Sequence, residues 1–283
     1  MTVPPAFSLV LSTKDRTQEL ARFLRSLDAQ RERSFELIVS DQNADDRLTS
    51  ILRPYKDRFP LRRVRSHGGI SRGRNAGLPR ARGRIIAFPD DDCWYPPELL
   101  TTVLRLFESN PGWDVIAGRS VDDQMRDTQG RWLDHLAVAD RRNVLRMGIS
   151  YTIFARASAV TAAGPFDESL GVGAGTPWGS GEETDFLLRA LGRGKKVVYT
   201  PELYVHHAEK IVEYSRRARD RQYSYARGLG RVLAKHRYSV IEAFSHFARP
   251  LAGAVLYLGR GQIDRSLYYL RILAGRGLGW IGH

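Results

Sequence analysis

The stretch Ile85-Ile86-Ala87-Phe88-Pro89-Asp90-Asp91-Asp92 places three consecutive carboxylates directly after a short apolar run. The apolar run predicts a buried strand, and the acids mark its end. Because neighbouring ionised carboxylates repel one another, a bound cation would stabilise the cluster. A hard divalent ion such as Mg²⁺ or Mn²⁺ prefers oxygen ligands and is the natural candidate. The alternative at this point is an acidic turn that caps the helix expected from about residue 97.

Strand-like and helix-like segments alternate on both sides of this stretch. Phe7–Ser12 and Phe35–Ser40 are β-prone runs, and Thr17–Leu27 between them carries apolar residues at helical spacing. Strand, helix and strand in this order predict a parallel sheet, which binds ligands outside the carboxyl ends of its strands. We also expect helices over 46–55, 97–108, 157–163 and 184–191, strands over 61–65, 84–88, 113–117, 151–156 and 196–200, and loops over 119–143.

The composition limits the class of protein. The chain has 283 residues, of which 42% are hydrophobic, enough for one large α/β domain with an appendage or for two smaller domains. Cys93 is the one cysteine, which excludes a disulfide framework and a cysteine-based zinc site and fits a reducing compartment. The segment Met1–Phe7 has no basic start, so we expect no secretory signal peptide.

A glycine-rich segment from His67 to Gly77 precedes the acidic cluster. Glycines let the backbone approach a ligand closely, and Arg72 and Arg74 supply planar donors suited to phosphate oxygens. We therefore expect a diphosphate site in this segment. Its spacing matches neither the Walker A loop nor the dinucleotide fingerprint, which argues against a P-loop ATPase and a Rossmann dehydrogenase.

A second glycine-dense loop, Gly171–Gly181, leads directly into Glu182-Glu183-Thr184-Asp185. We expect this loop to act as a lid that closes over a substrate. Taken alone, the acids are equally well explained as first-turn residues that the dipole of the following helix favours.

Taken in order from about Ser8 to His207, these motifs resemble the family 2 glycosyltransferases, which have the GT-A fold. The resemblance implies an α/β fold with a mixed, mainly parallel, Rossmann-like sheet flanked by helices. It implies transfer of a sugar from a nucleotide-diphosphate donor to a hydroxyl group with inversion at the anomeric carbon, with Mn²⁺ or Mg²⁺ as cofactor. With it we expect a catalytic domain over 1–209, divided into a nucleotide-sugar half (1–118) and an acceptor half (119–209), and a helical C-terminal extension over 210–283.

The resemblance also implies roles for individual residues. Donor binding falls to residues at predicted strand ends and in the first glycine-rich segment, namely Ser12, Thr13, Arg16, Asp41, Gly69, Arg74, Asn75, Asp90 and Asp91. Asp41 occupies the position at which members of the family have an aspartate that contacts the nucleobase. Metal binding falls to Asp92, Asp90 and His207, with His206 as the competing histidine. Glu183 is the expected catalytic base, and the choice between Glu183 and Glu182 stays open.

Two other functions remain compatible with the sequence. A nucleotidyltransferase would also need a metal and a phosphate site, but it would attack the phosphorus of a nucleoside triphosphate and release pyrophosphate. The second is a non-catalytic protein that binds nucleic acid or a membrane through a basic tail. Against nucleic acid, the sequence has no zinc-finger or RNP-like motif, and its acidic cluster repels phosphate unless a metal is bound. The motifs do not specify the donor sugar, the base, the acceptor or the linkage.

The C-terminal region is strongly basic. From Lys210 to His283 it has fourteen lysines and arginines against four acids, so it carries +10 of the net charge of +13. Its apolar segment Pro250–Gly259 is about half the ~20 residues needed to span a bilayer. The surrounding arginines and aromatic residues favour helices that lie on an anionic membrane surface. We expect a cytoplasmic enzyme on the inner face of the membrane, acting on a lipid-linked acceptor or a growing surface polysaccharide. Packing on the catalytic domain and a homodimer interface are the alternatives.

Overall fold

The computed structural model describes residues 4–208 and 214–282. The chain forms two compact units, Met1–Phe166 with Phe186–Lys210 and Asp167–Asp185 with Ile211–His283. The segment Asp167–Asp185 therefore groups with the C-terminal helices, although it lies inside the range 1–209 expected to be one catalytic domain. A functional boundary at residue 209 remains a prediction.

A nine-stranded sheet forms the first unit, within the part of the chain that the structure describes. Its strands are β1 Phe7–Thr13, β2 Phe35–Asp41, β3 Leu61–Arg65, β4 Ile85–Ala87, β5 Cys93–Trp94, β6 Val115–Val121, β7 Ala137–Val138, β8 Ile153–Arg156 and β9 Val197–His207. The order is β3-β2-β1-β4-β8-β6-β9-β5, with β7 beside β9. Strands β3, β2, β1 and β4 run parallel, as do β6 and β9, whereas β5, β7 and β8 are antiparallel to their neighbours.

Within residues 4–208, six α-helices accompany these strands in chain order: α1 Gln18–Asp28, α2 Leu48–Leu52, α3 Ile70–Gly77, α4 Leu99–Ser109, α5 Ala157–Ala163 and α6 Glu182–Gly192. The apolar stripe of α1 explains why this segment is helical, because Leu20, Phe23, Leu24 and Leu27 are all fully buried in the core. Burial of each such side chain contributes about 1.5–3 kcal/mol. The mixed, mainly parallel sheet with flanking helices confirms the predicted fold class.

Most of the glycine-rich segment before the acidic cluster is helix α3, a segment for which the sequence predicted a diphosphate site but no secondary structure. Its glycines serve close packing on the sheet. A Cβ on Gly73 would lie 2.1 Å from the Ser12 hydroxyl, and one on Gly77 would lie 2.6 Å from Val10 Cγ1. Helix α3 can therefore lie against β1 only because these two positions lack side chains.

Strand β9 is longer than the predicted strand over 196–200. It continues past Pro201 to His207 because its pairing with β6 is irregular at that point. Ala117 pairs with Tyr199, but Arg119 already pairs with Tyr204, so the extra residues of β9 form a bulge. A proline is tolerated in a sheet at such a bulge.

The second unit contains three long helices, α7 Arg216–Lys235, α8 Val240–Gly259 and α9 Ile263–Ile281. The predicted helical character of the C-terminal region is confirmed, and α8 is twice as long as the apolar segment Pro250–Gly259. A capping box starts α8, because Ser239 Oγ accepts from the Glu242 backbone N–H while Glu242 accepts from the Ser239 backbone N–H. Helices α7 and α9 approach closely through glycine, since a Cβ on Gly230 would lie 2.2 Å from the Arg276 carbonyl oxygen. Across residues 4–208 and 214–282, no helix combines the length and hydropathy needed to cross a membrane.

Candidate active site

The predicted donor residues meet at the carboxyl ends of β1, β2 and β4. Thr13, the last residue of β1, is the register partner of Asp41 at the end of β2. Beyond β4, Asp90 forms a parallel bridge with Ser12. The parallel sheet therefore gathers these polar residues at one edge. We call the following group the carboxylate edge: Thr13, Arg16, Asp90, Asp91, Asp92 and His207.

Asp91 is the most buried carboxylate of this edge, with 7% of its surface exposed. It accepts hydrogen bonds from Thr13 Oγ1 at 2.6 Å and from Arg16 Nη1 at 2.9 Å. Burial raises the pKa of Asp91 to about 7, although the hydrogen bond from Thr13 and the charge of Arg16 oppose this shift. Asp91 is therefore held in place by β1 and by the loop that follows it.

Asp92 meets His207 through the pairing of β5 with β9, in which Cys93 lies opposite His207. His207 Nε2 lies 3.2 Å from Asp92 Oδ1, and Arg16 contacts the other oxygen of Asp92. Burial disfavours the ionised form of Asp92, but His207 and Arg16 together hold its pKa below the ordinary range. Asp92 is therefore ionised at neutral pH and available to a cation.

The surroundings of His207 fit a metal ligand. The ring is 5% exposed and stacks on Tyr151 with 5.3 Å between the ring centroids. Nδ1 lies 2.8 Å from the Ala208 carbonyl oxygen and 3.2 Å from the Gln129 amide nitrogen. In the tautomer with its proton on Nδ1, the Nε2 lone pair would be available to a metal ion. Asp92 Oδ1 and His207 Nε2 lie 3.2 Å apart, so these two side chains would hold a divalent ion together.

Asp92 and His207 are the two predicted metal ligands that the structure brings into contact. In residues 4–208 and 214–282 there is no group of three or more His, Cys, Asp or Glu side chains that could hold a metal. A pair still suits Mg²⁺ or Mn²⁺ in a phosphate-binding enzyme, because substrate oxygens and water complete the shell. His206, the competing histidine, stacks instead on Trp94.

Asp90 pairs with Arg74 of α3. Arg74 Nη2 lies 3.0 Å from Asp90 Oδ1, and Ser150 Oγ lies 3.4 Å from the same oxygen. Arg74 is fully buried, and its guanidinium lies 5.3 Å from the centre of the Phe166 ring. A buried guanidinium needs such a carboxylate partner. The neighbouring Asn75 forms two hydrogen bonds with the backbone of Phe166: its amide nitrogen donates to the carbonyl oxygen at 2.9 Å, and its amide oxygen accepts from the N–H at 2.8 Å.

Asp41, the expected reader of the nucleobase, has no exposed surface. Its Oδ1 accepts from the backbone and the amide of Asn43, and its Oδ2 accepts from Arg63 Nε at 2.7 Å. Arg65 lies 3.1 Å from the same Oδ2. In this structure Asp41 therefore orients Asn43 and the two arginines, and its direct contact with a base stays a prediction. Sequence reasoning missed Arg63 and Arg65, although their spacing of two on β3 puts both on one face of the sheet.

Gln42 links two other predicted donor residues. Its amide nitrogen donates to Ser12 Oγ at 2.7 Å and to the Gly69 carbonyl oxygen at 2.8 Å, and its amide oxygen accepts from the Gly69 N–H at 3.1 Å. Gly69 needs to be glycine because its φ of 101° is strained for any side chain. Gln42 was also missed, since a single glutamine in a loop carries no pattern.

The expected catalytic acids lie in the second unit, whereas the other predicted site residues lie in the first. Glu182 and Glu183 occupy the first turn of α6, and Glu182 is 7% exposed. The loop before them is fastened to α7. Gly179 N–H donates to the Ser224 carbonyl oxygen at 3.1 Å, and Ser180 Oγ donates to the Tyr225 carbonyl oxygen at 2.8 Å. A lid motion of this loop remains a prediction.

Comparison with known proteins adds independent findings. Residues 8–162, more than half of the chain, match the model of the family described as glycosyl transferase family 2. The chain is 28% identical over 203 residues to the succinoglycan biosynthesis protein ExoM of Rhizobium meliloti, which covers 68% of this chain and 63% of ExoM. It spans less than two thirds of the length of the curated relatives that it matches.

Solved structures share the fold at low identity. The mannosyltransferase PcManGT of Pyrobaculum calidifontis, in complex with GDP-Man and Mn²⁺, is 15% identical with a TM-score of 0.71, over 100% of this chain and 89% of that one. Staphylococcus aureus TarS 1–349, in complex with UDP-GlcNAc, is 17% identical with a TM-score of 0.60, over 98% and 93% of the two chains. The match of residues 8–162 to the family model shows that the chain belongs to glycosyl transferase family 2, and the solved structures show that it shares their GT-A fold.

Proposed function

We propose that this glycosyltransferase moves a sugar from a nucleotide-diphosphate donor to a hydroxyl group of a glycan or a lipid-linked acceptor, with inversion, in the synthesis of a cell-surface polysaccharide. The observation that carries the proposal is the carboxylate edge, where Asp92 meets His207 and Asp90 meets Arg74. The GDP-Man and Mn²⁺ of PcManGT, the UDP-GlcNAc of TarS and the succinoglycan role of ExoM support the choice of donor, cofactor and pathway class.

The metal would be held by Asp92 and His207, with Asp90 as the further ligand that the family resemblance implies. When bound, the ion would neutralise the charge that develops on the leaving diphosphate. Arg16 and Arg74 would supply the protein's own share of this stabilisation, because both guanidinium groups already lie against carboxylates of the edge. Loss of one such fixed donor typically lowers the rate by about 10²–10³-fold.

Glu183 is the proposed base, with Glu182 as the alternative. The acceptor oxygen attacks the anomeric carbon while the bond between that carbon and the diphosphate oxygen breaks. The nucleoside diphosphate leaves with the electron pair, and the carboxylate takes the acceptor proton. Proton transfer of this kind contributes about 10²–10⁴-fold in rate.

A product analysis tests the reaction class. The full chain is incubated with a panel of nucleotide sugars and Mn²⁺, and separately with nucleoside triphosphates and sugar phosphates. We expect release of a nucleoside diphosphate from a nucleotide sugar, and we expect EDTA to abolish it. Pyrophosphate release from a triphosphate would instead support the nucleotidyltransferase alternative.

We also propose that the C-terminal helices bind the inner face of the cell membrane. The exposed surface of α8 is largely apolar, with Ile241 87%, Phe244 66% and Val255 63% exposed. Apolar side chains also line a groove of about 590 Å³, namely Phe244, Phe247, Ala248, Leu251, Ala252, Val255, Leu256 and Leu273. A patch of this kind in a basic region fits a helix at an anionic lipid surface. A homodimer interface is the competing explanation.

A further inference from the structure

A cavity of about 220 Å³ with a mixed polar and apolar lining lies inside the second unit. It is separate from the apolar groove on α8. The end of the Gly171–Gly181 loop and the first turn of α6 form one wall, and α7 and α9 form the others. Polar side chains that line it are Ser180, Glu183, Thr184, Gln222, Tyr225 and Arg276. We call it the Glu183 cavity. The C-terminal helices thus share a pocket with the proposed base.

Glycine contacts hold this wall against α7. A Cβ on Gly228 would lie 2.2 Å from the Ser180 carbonyl oxygen, and one on Gly181 would lie 2.8 Å from Val232 Cγ2. Gly181 has a φ of 98°, which other residues rarely adopt. The loop and helix α7 therefore touch backbone to backbone just before Glu183. This contact fixes the start of α6, and with it Glu183, relative to Gln222 and Tyr225 on α7.

The lining has the chemistry that sugar hydroxyls need. Hydroxyl, amide and carboxylate groups together offer both donors and acceptors, which is what a group that donates and accepts at once requires. With liquid water occupying about 30 Å³ per molecule, 220 Å³ corresponds to roughly seven waters, enough for one sugar ring.

Arg276 adds a cation without a matching carboxylate. Its Nη1 donates to the His246 carbonyl oxygen, while its buried Nε has no hydrogen-bond partner among residues 4–208 and 214–282. The same described residues place no carboxylate in an ion pair with it. Burial, and then the charge of Arg249, lower its pKa to about 10, so it stays protonated at neutral pH. A partly buried cation that no described carboxylate pairs with favours an anionic partner.

We propose that the Glu183 cavity binds the acceptor sugar, with Glu183 beside the reacting hydroxyl, and that Arg276 recognises a phosphate or carboxylate group carried by the acceptor. Gln222 and Tyr225 bind the remaining hydroxyls of that sugar. The C-terminal helices are then part of the acceptor site as well as a membrane-facing surface. The inference rests on the proposed transferase reaction.

Direct binding tests the proposal without turnover. Hexose 1-phosphates of gluco, galacto and manno configuration, the matching uronic acids and the neutral methyl glycosides are titrated into the full chain, with EDTA present to suppress metal-dependent binding at the donor site. We expect at least one anionic series to bind, and Arg276→Gln to weaken that binding at least tenfold. The phosphate and uronate arms identify the anion. Arg271→Gln, on the exposed face of α9, is the control and should bind as wild type does.

Several results would overturn the assignment. These are equal binding of neutral and anionic sugars, unchanged binding by Arg276→Gln, and no sugar binding in any series. If Arg276→Gln lowers the melting temperature sharply, Gln222→Ala replaces it and should weaken the same ligands several-fold, and Arg276→Lys should restore part of the affinity. Failure of the transferase function is a separate result, since wild type would then release no nucleoside diphosphate from any nucleotide sugar with Mn²⁺.

Discussion

The carboxylate edge and the Glu183 cavity are built from opposite kinds of interaction. At the edge, formal charges lie in direct contact, as between Arg16 and Asp91 at 2.9 Å and between Arg74 and Asp90 at 3.0 Å. In the cavity, hydroxyl and amide groups lie among apolar side chains, and no described carboxylate forms an ion pair with Arg276. A diphosphate with a metal demands concentrated charge, whereas a sugar hydroxyl demands many weak donors and acceptors. A substitution at the carboxylate edge should therefore weaken donor binding, whereas a substitution in the Glu183 cavity should weaken acceptor binding or transfer.

The largest effect is expected at the edge. Asp92→Asn removes a charged oxygen ligand without changing volume, so metal-dependent donor binding should be lost. The transition state would lose several kcal/mol of stabilisation from the metal, which corresponds to about a 10⁴-fold lower transfer rate. Calorimetry of the donor nucleotide with Mn²⁺, repeated in EDTA, measures this. Asp123→Asn, an exposed acid, is the control. Nucleotide affinity that is unchanged in the variant and indifferent to EDTA would refute the metal assignment.

The second-largest effect is expected at Glu183, where transfer should be lost while donor binding is kept. Glu183→Gln keeps the shape of the side chain but cannot accept a proton. We expect transfer to fall by about 10³-fold, within the range for general-base catalysis, while donor affinity stays at the wild-type value. Steady-state kinetics with donor and acceptor varied separately gives both quantities. Glu182→Gln is the matched variant and should lose less. The opposite ranking of the two variants would make Glu182 the base.

A third effect concerns the backbone contact behind Glu183. Gly228→Ala places a Cβ 2.2 Å from the Ser180 carbonyl oxygen, so the loop must move. Overpacking of this kind lowers the free energy of unfolding by about 1–3 kcal/mol. The transfer rate should fall about tenfold because Glu183 is displaced. Gly277→Ala on α9 is the control, because a Cβ there meets nothing within 4 Å. Thermal unfolding and transfer assays compare the melting temperatures and transfer rates of the two variants. Wild-type values for Gly228→Ala in both assays would show that this backbone contact does not position Glu183.

The same contrast explains what could be predicted from the sequence. The acids after β4 and the arginine of α3 were recognisable because clustered charge is rare and has a clear chemical use. Contact between Asp92 and His207 depends on the pairing of β5 with β9, which joins segments more than a hundred residues apart. No local pattern reveals such a register, so only the family resemblance pointed to His207.

Ordinary residues were the ones that sequence reasoning missed. Gln42 and Arg63 match no motif, and only tertiary contacts bring them to Ser12, Gly69 and Asp41. No secondary structure was predicted for the glycine-rich segment that forms α3, because glycine disfavours helices, yet packing on β1 overrides that preference. Glycines and an arginine also interrupt the apolar periodicity of α8, so its apolar segment Pro250–Gly259 covers only half of the helix.

The smallest effect is expected on the outer face of the second unit. Val255 is 63% exposed on the apolar side of α8, and insertion at a lipid interface would bury part of it. Val255→Glu should therefore reduce binding to vesicles of mixed anionic and zwitterionic lipid by several-fold up to about tenfold, since full burial of valine contributes about 1.5–3 kcal/mol. Gln262→Glu changes the net charge by the same amount in the turn between α8 and α9, so it controls for simple electrostatic repulsion.

Flotation with these vesicles at low salt, together with light scattering of the free protein, distinguishes the two explanations of this face. Membrane binding predicts that wild type and Gln262→Glu float while Val255→Glu floats less, with the same molecular mass for all three. Each arginine near an anionic surface adds about 1 kcal/mol to the free energy of membrane binding, and salt screens this attraction. The fraction of protein that floats with the vesicles should therefore fall as salt rises. A wild-type dimer that Val255→Glu converts to a monomer, with no flotation of either, would instead make this face a contact between two copies of the chain.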